Sequence, residues 1–248
     1  MLKEERHQKI IELLEKSELV TVNKISKILN VSEMTVRRDL NQLEEEKKLI
    51  KIHGGAKRLP VVELTTNEKI NNFVQEKKEI GIFMNKLIPN NSVIYLGAGT
   101  TIYYALSSIN KKNLFIITNS LIAFNYLIEN TDYKIILTGG ELNKNTEEFI
   151  GNVTEAAFKN LNIDIAFAAT NGIIEDNITT SSSLQGSVQM AAFNKSKIKC
   201  IVADSSKLNK SDIYTFYKLS QINYLITDSK ITDSDYKKYS KYTKIVKE

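Results

Sequence analysis

Two sets of side chains in this sequence have the types and spacing to do chemistry. The first is Ser32-Glu33-Met34-Thr35-Val36-Arg37-Arg38-Asp39-Leu40-Asn41-Gln42-Leu43. Val36, Leu40 and Leu43 recur at helical spacing and form one apolar stripe. At about 100° per residue, Met34, Arg38, Asn41 and Gln42 project to the far side, with Thr35 and Arg37 on its flanks. Arginine on such a face can make a forked contact to guanine, and an amide one to adenine. The same pattern would serve the solvated face of an ordinary surface helix. The second set is a series of glycine and hydroxyl clusters, of which Gly97-Ala98-Gly99-Thr100-Thr101 is the fullest. Its backbone N–H groups and hydroxyls can cradle a phosphate. It is not a complete dinucleotide fingerprint, because Ile102 holds the third glycine position, and it lacks the lysine and spacing of a Walker A loop.

Placing the first set requires helices. Ile10, Ile11, Leu13 and Leu14 among charged neighbours predict a first amphipathic helix over 4–17. Thr21 caps a second, with Val20 and Ile25 as a hydrophobic staple and Ile25, Ile28 and Leu29 as its buried side. After a turn at Leu29-Asn30-Val31, Ser32 caps a third, and Val31 with Val36 repeats the staple. Two short helices joined by a tight turn make a helix-turn-helix whose second member is the recognition helix. Leu49-Ile50-Lys51-Ile52 then reads as a strand, and His53-Gly54-Gly55 as either a tight reversal into a β-wing or a hinge to the next domain.

The second set calls for a sheet. Pro60 and Val61 to Asn67 read as a linker, and Glu68 to Leu87 as one long helix carrying Ile70, Phe73, Val74, Ile80, Phe83, Met84 and Leu87. Strands and helices then alternate, predicting an α/β domain with a largely parallel sheet and helices on both faces. Ligands of such sheets bind outside the carboxyl ends of the strands. The clusters fall there: Gly97–Thr101, then Thr118-Asn119, Gly139-Gly140 and Gly151 before a helix. Asn171-Gly172 and Asp204-Ser205-Ser206-Lys207 complete the series. Each alone is a turn, but their recurrence favours a small phosphorylated polyol or sugar, with Lys207 in reach of an anion. The expected domains are a winged helix-turn-helix over 1–58, a linker and connecting helix over 59–90, and an α/β sensing domain over 91–248.

Charge distribution agrees with this division. All four arginines and both histidines lie in the first 58 of 248 residues, although the net charge of the whole chain is only +5. Arginine is the preferred residue for forked contacts to phosphates and base edges. The single cysteine, Cys200, excludes an internal disulfide and a cysteine-based zinc finger. No apolar run approaches the ~20 residues that span a bilayer, and no signal peptide is visible, so a cytoplasmic protein without a membrane partner is expected.

At this point the residues resemble a known family. Val31-Ser32, Thr35-Val36-Arg37-Arg38-Asp39-Leu40, Leu43-Glu44 and His53-Gly54-Gly55-Ala56 look like the N-terminal signature of DeoR-type transcriptional regulators. Lys47 stands where the family usually carries glycine, and Lys51 where it usually carries arginine. Gly97–Thr101, Thr118-Asn119, Thr138-Gly139-Gly140, Phe149-Ile150-Gly151 and Asp204–Lys207 resemble the DeoR-type sensor domain, which is related to ribose-5-phosphate isomerase. Gln185 and Gln189 depart from the Glu and Lys found in many members, removing charge from the presumed pocket. Thr146–Gly151 and Gln189 are similar to the lactose phosphotransferase repressor branch, whose inducer is tagatose 6-phosphate.

The resemblance implies a repressor of a carbohydrate-utilisation operon that leaves double-stranded operator DNA when a phosphorylated sugar binds, with no cofactor or metal. Candidate DNA contacts are Ser32, Met34, Thr35, Arg37, Arg38 and Gln42, with His53, Lys57 and Arg58 on the wing. Thr35, Arg38 and Gln42 are the expected base readers, and Arg37, Lys57 and Arg58 the backbone contacts. One short helix reads few bases, so a homodimer or tetramer is expected. Candidate effector ligands are Gly97, Ala98, Gly99, Thr100, Thr101, Thr118, Asn119, Gly139, Gly140 and Gly151, together with Asn171, Gly172, Gln185, Asp204 and Lys207. An alternative is a sugar-phosphate isomerase with an appended DNA-binding head. The second domain has no histidine, which leaves Glu141, Asp164 and Asp204 as its possible bases.

Overall fold

A computed structural model describes residues 2–17, 19–46, 48–57 and 64–247. Contacts divide the chain into two compact units, Met1–Val62 and Glu63–Glu248. Lys47, Arg58, the start of the expected linker at Pro60 and the expected boundary at 58 and 59 lie outside the described residues. No described helix is long and apolar enough to cross a membrane.

The first unit runs α1 (Lys3–Lys16), β1 (Leu19–Thr21), α2 (Val22–Leu29), α3 (Glu33–Glu45), β2 (Ile50–Ile52) and β3 (Gly55–Lys57). Thr21 and Ser32 cap α2 and α3 through their side-chain oxygens, which accept from the N–H groups of Lys24 and Thr35. Asn30 ends α2 in the left-handed region at φ 51°, a conformation asparagine tolerates. Ile10, Leu14, Ile25, Val36, Leu40 and Leu43 form the core. Ile28 was expected there and is instead 51% exposed. At 100° per residue Val22, Ile25 and Leu29 share one face, and Ile28 falls about 90° from its centre. Gly54-Gly55 is a tight reversal, not a hinge: Ile52 pairs with Gly55, and Gly54 sits at φ +80°. The wing also gains a strand, because β1 pairs with β3; a Cβ at Gly55 would lie 2.4 Å from the Val20 carbonyl oxygen.

One polar interaction ties α1 to the recognition helix. Asp39 is buried on the inner face of α3, where it accepts from Arg6 Nε at 2.8 Å and Arg6 Nη2 at 2.9 Å. His7 Nε2 lies 3.3 Å from the same carboxylate. Arg6 and His7 are therefore structural, although their place in the basic segment suggested a DNA-facing role. Removing one partner of such a pair strands the other. Arg6→Ala is expected to cost about 3 kcal/mol, read as lost amide protection in α1 and α3 with the second unit unchanged. Unaltered protection would show that apolar packing alone seats the helix.

The second unit begins with α4 (Thr66–Ile70) and α5 (Val74–Leu87). The single helix expected over Glu68–Leu87 is broken, with Phe73 at φ 55° and half-exposed. Asn71-Asn72 accounts for the break: Asn72 Nδ2 donates to the Glu68 carbonyl, competing with the helical ladder. There follow β4 (Val93–Leu96), α6 (Thr100–Ala105), β5 (Phe115–Thr118), α7 (Leu121–Asn130) and β6 (Lys134–Leu137). A hairpin of β7 (Glu141–Asn143) and β8 (Glu148–Ile150) leads to α8 (Asn152–Ala157), β9 (Ile163–Ala169), β10 (Gly172–Ile174) and β11 (Asn177–Thr180). The chain closes with α9 (Ser183–Asn194), β12 (Ser196–Val202), β13 (Tyr214–Lys218), β14 (Tyr224–Ile226), α10 (Asp233–Tyr239) and β15 (Lys244–Val246).

Seven parallel strands make the main sheet in the order β15-β14-β12-β9-β4-β5-β6. Alternate residues serve opposite faces. Tyr95, Ala166, Ala168 and Ile201 meet Val188, Ala192 and Phe193 of α9. Ile94, Leu96, Phe167 and Val202 meet Ile80 and Met84 of α5 with Ile102 of α6. The expected α/β class with both faces covered is what forms. Unforeseen were the β7–β8 hairpin and a second, antiparallel sheet of β10, β11 and β13. From β4 the chain builds outward through β5 and β6, then returns to build the other way from β9. The order therefore reverses between β4 and β9, the point at which such sheets open a crevice at their carboxyl ends.

Candidate functional site

On the outer surface of α3, most polar side chains are engaged with one another. Ser32 Oγ and Thr35 Oγ1 share a hydrogen bond of 2.9 Å, Arg37 pairs with Glu33 at 3.4 Å, and Gln42 Nε2 donates to Glu46 at 3.1 Å. Lys51, from β2, donates to Asn41 Oδ1 at 2.6 Å. Arg38 is exposed and has no hydrogen-bond or ion-pair partner among the described residues. Met34 is 63% exposed. His53 and Lys57 stand exposed on the wing, at its turn and on β3. Gln42, expected to read bases, is half-buried and already paired.

In the second unit a cavity of about 200 Å³ opens at the carboxyl ends of β4, β9 and β12. Ala98, Gly99, Thr100 and Thr101 line it from the loop after β4, and Asn171 from the loop after β9. Asp204 and Lys207 follow β12, and Gln185 comes from α9. Gly99 takes φ +118°, and a Cβ there would come 3.1 Å from Ala169 Cβ. The other expected ligands lie outside this lining for definite reasons. Gly97 donates to the Phe167 carbonyl, Thr118 Oγ1 accepts from Ser120 N–H, and Asn119 holds the Tyr95 hydroxyl and the Phe149 carbonyl. Gly140 makes room for Thr154 Oγ1, and Gly172 for the Lys210 carbonyl. Gly139 and Gly151, at φ +69° and +87°, turn the chain with open space beside them.

Residues absent from that expectation supply much of the wall. Lys69, Lys77 and Lys210 join Lys207 around the cavity. Lys77 is 3% exposed, its ammonium donating to the Lys69 carbonyl at 2.8 Å. Burial pulls its pKa down to about 8; nearby Asp204 opposes this, while Lys207 and Lys69 add to it. Burial likewise lowers Lys207, again opposed by Asp204. A signal for Lys77 existed: with Ile80 and Met84 it sits at i, i+3 and i+7, on the buried stripe of α5. Its neighbour Lys78 made it look like part of a solvated charge run. Lys69 donates to Asn171 Oδ1 at 3.4 Å, and Asn171 to Asp212 at 2.8 Å.

The acceptor side of the wall is equally specific. Gln185 Nε2 donates to Glu148 Oε1 at 2.6 Å, while its oxygen accepts from Thr180 Oγ1 at 3.0 Å and Ser181 Oγ at 2.9 Å. A carboxylate at 185 would place like charge against Glu148, so the neutral amide suits this wall. Asp204 Oδ1 accepts from the Ser206 N–H and hydroxyl, and Asp228 fixes Ser205 beside it. Among the described residues, three buried oxygens of wall residues have no partner: Thr146 Oγ1, Gln189 Oε1 and Asp204 Oδ2. Buried polar groups left unpaired cost about 1–3 kcal/mol each.

A winged helix-turn-helix unit followed by a parallel-sheet domain with a polar cavity at its switch point defines a DNA-binding transcriptional regulator with a sensor domain. The chain belongs to the DeoR family: residues 6–60 match the DeoR-like helix-turn-helix domain and residues 72–229 the DeoR C terminal sensor domain. It is 36% identical to the lactose phosphotransferase system repressor of Streptococcus mutans, over 99% of this chain and 100% of that protein. A protein of the same name from Staphylococcus epidermidis is also 36% identical, over 92% of this chain and 93% of its own length. An uncharacterized HTH-type transcriptional regulator of Haemophilus influenzae is 32% identical, over 94% and 93%. Among solved structures, ribose 5-phosphate isomerase from Plasmodium falciparum is similar over 55% of this chain and 53% of its own, at 19% identity and a TM-score of 0.41.

The buried ammonium carries a stability signature. Lys77 titrates near 8 in the folded chain and near 10.5 when unfolded, so between these values the unfolded state holds a proton that the folded state has lost. Its contribution to stability therefore rises with pH from about 8 to 10.5 and is most unfavourable below 8. Two and a half pKa units correspond to about 3 kcal/mol. Lys77→Met is expected to raise urea-unfolding stability at pH 7 by up to about 3 kcal/mol and to flatten the wild-type rise above pH 8, leaving the smaller part due to Lys207. Parallel pH profiles for the two proteins would contradict this.

Proposed function

We propose that this regulator represses a carbohydrate-utilisation operon in the cytoplasm and releases its operator when a phosphorylated sugar fills the second unit's cavity. One observation supports the reading: residues that carry unpartnered buried oxygens and residues that carry desolvated ammonium groups line the same 200 Å³ cavity. A phosphate would answer the lysines and the Gly99–Thr101 backbone, and sugar hydroxyls would donate to Gln189 Oε1 and Asp204 Oδ2. The Asp204 carboxylate repels an anion, so its free oxygen suits the hydroxyl end. Tagatose 6-phosphate is the effector we infer, as the resemblance of Thr146–Gly151 and Gln189 to the lactose phosphotransferase repressor branch implies; relatives of that name are among those matched. We read Ala98–Thr101, Asn171, Gln185, Asp204 and Lys207 as effector contacts, with Lys69, Lys77 and Gln189 added.

Signal transfer has a sequence-level route. Leu64, Thr66, Lys69, Phe73 and Lys77 all line the cavity and come from the first segment after the DNA-binding unit. An effector that binds this wall differently in the operator-bound and free arrangements shifts the balance between them. On the DNA side, Arg38 is the base reader we favour, with Arg37, His53, Lys57 and Arg58 on the backbone. Two or four copies bind half-sites spaced ~34 Å or a multiple. The isomerase alternative has a poorer basis. Glu141 is exposed, and Asp164 is held by Lys197 and the Val93 N–H. Asp204 is the one of those three candidate bases on the cavity wall.

Two variants separate the halves of this account. Saturating tagatose 6-phosphate, at about 100 times its Kd, is expected to stabilise the wild type by about 2.7 kcal/mol without turnover. Lys207→Met should lose that shift and keep operator affinity. Arg38→Ala should keep the shift and lose about 1–3 kcal/mol of operator binding. Equal stabilisation by unphosphorylated tagatose, or conversion of the phosphosugar, would overturn the reading.

A further inference from the structure

On α3 the apolar residues separate into two kinds. Val36, Leu40 and Leu43 are no more than 1% exposed, whereas Met34 is 63% exposed at the second position of the helix. The side chains around it are occupied: Ser32 with Thr35, Arg37 with Glu33, Asn41 with Lys51, and Gln42 with Glu46. Over the N-terminal two turns of the helix, two exposed side chains have no such partner among the described residues, Met34 and Arg38. They are four residues apart and hence on one face, about 6 Å along the axis. The N-terminal residues of a recognition helix are the ones that reach base edges. In the major groove, thymine presents a 5-methyl group that only an apolar contact can read, and guanine presents the O6 and N7 acceptors. An unbranched thioether adapts its shape to such a methyl.

We propose that Met34 is a specificity-determining residue that reads a thymine methyl group within about two base pairs of the guanine bound by Arg38. With base pairs about 3.4 Å apart, the 6 Å offset sets that spacing. Selection of the full chain on randomised duplexes is expected to enrich a thymine within two positions of a guanine. Met34→Ala should keep the guanine and lose the thymine, and Met34→Leu should keep both. Replacing that thymine by deoxyuridine, which lacks only the methyl, should weaken the wild type about four-fold, the worth of one buried carbon, and leave Met34→Ala unchanged. Met34 is outside the core, so both variants fold. Identical enriched sequences for wild type and Met34→Ala, or an equal loss on removing the methyl, would overturn the proposal, as would selection that enriches no thymine near the guanine.

Discussion

Burial of the Lys77 and Lys207 ammonium groups beside the Asp204 carboxylate is the constraint on which the second unit turns. Lys77 is enclosed, Lys207 is half-buried, and Asp204, a counter-charge that acts on both, already spends one oxygen on Ser206. Like charges gathered in a site of low polarisability are stable only when one of them gives up its proton or an anion enters. The sheet topology explains why the gathering happens here. Strand order reverses between β4 and β9, and the backbone after each strand parts, leaving a crevice whose rim is loop and not packed core. A wall contributed by 64–77 brings Lys77, and with it Lys69, to that crevice.

The DNA-binding unit is governed by a different economy of charge. Its carboxylate, Asp39, is turned inward to hold Arg6, so α3 is seated by a buried pair as well as by Val36, Leu40 and Leu43. Outward, the helix satisfies its own polar groups in short ion pairs and amide contacts. Such a surface is soluble when free and must exchange these weak internal partners for DNA. Exposed pairs of this sort contribute little to stability, so exchanging them is cheap. Arg38 stands outside this network and is presented ready for contact.

Much of this was legible in the chain because local signals were strong. Ser32 and Thr21 are caps by type and position, and the strands are runs of Ile, Val and Phe between turn residues. The cavity was legible at Gly99–Thr101 and Asp204–Lys207, where a strand end, a turn and polar groups coincide. Gly139, Gly140, Gly151 and Gly172 fall outside its lining: a glycine that admits Thr154 or a neighbouring carbonyl, or one that turns the chain, looks the same in sequence as one on a cavity wall. The cavity was under-read at Lys69 and Lys77, whose role depends on a helix break at Asn71-Asn72 and on long-range packing. Ile28 shows the limit of periodicity: an apolar residue one turn from the stripe passes for core until the three-dimensional phase is known.

The central claim is that an anion supplies what the buried lysines lack, and proton uptake measures it directly. Second ionisation of a sugar phosphate is complete well below pH 8, so any proton taken up there belongs to the protein. Titrating the full chain with tagatose 6-phosphate at pH 8, in two phosphate-free buffers of different ionisation enthalpy, gives the number of protons bound. With Lys77 near 8 in the free chain, uptake of roughly half a proton per site is expected, with affinity falling as pH rises further. Binding with no net proton uptake and with affinity independent of pH between 7 and 9 would contradict the account.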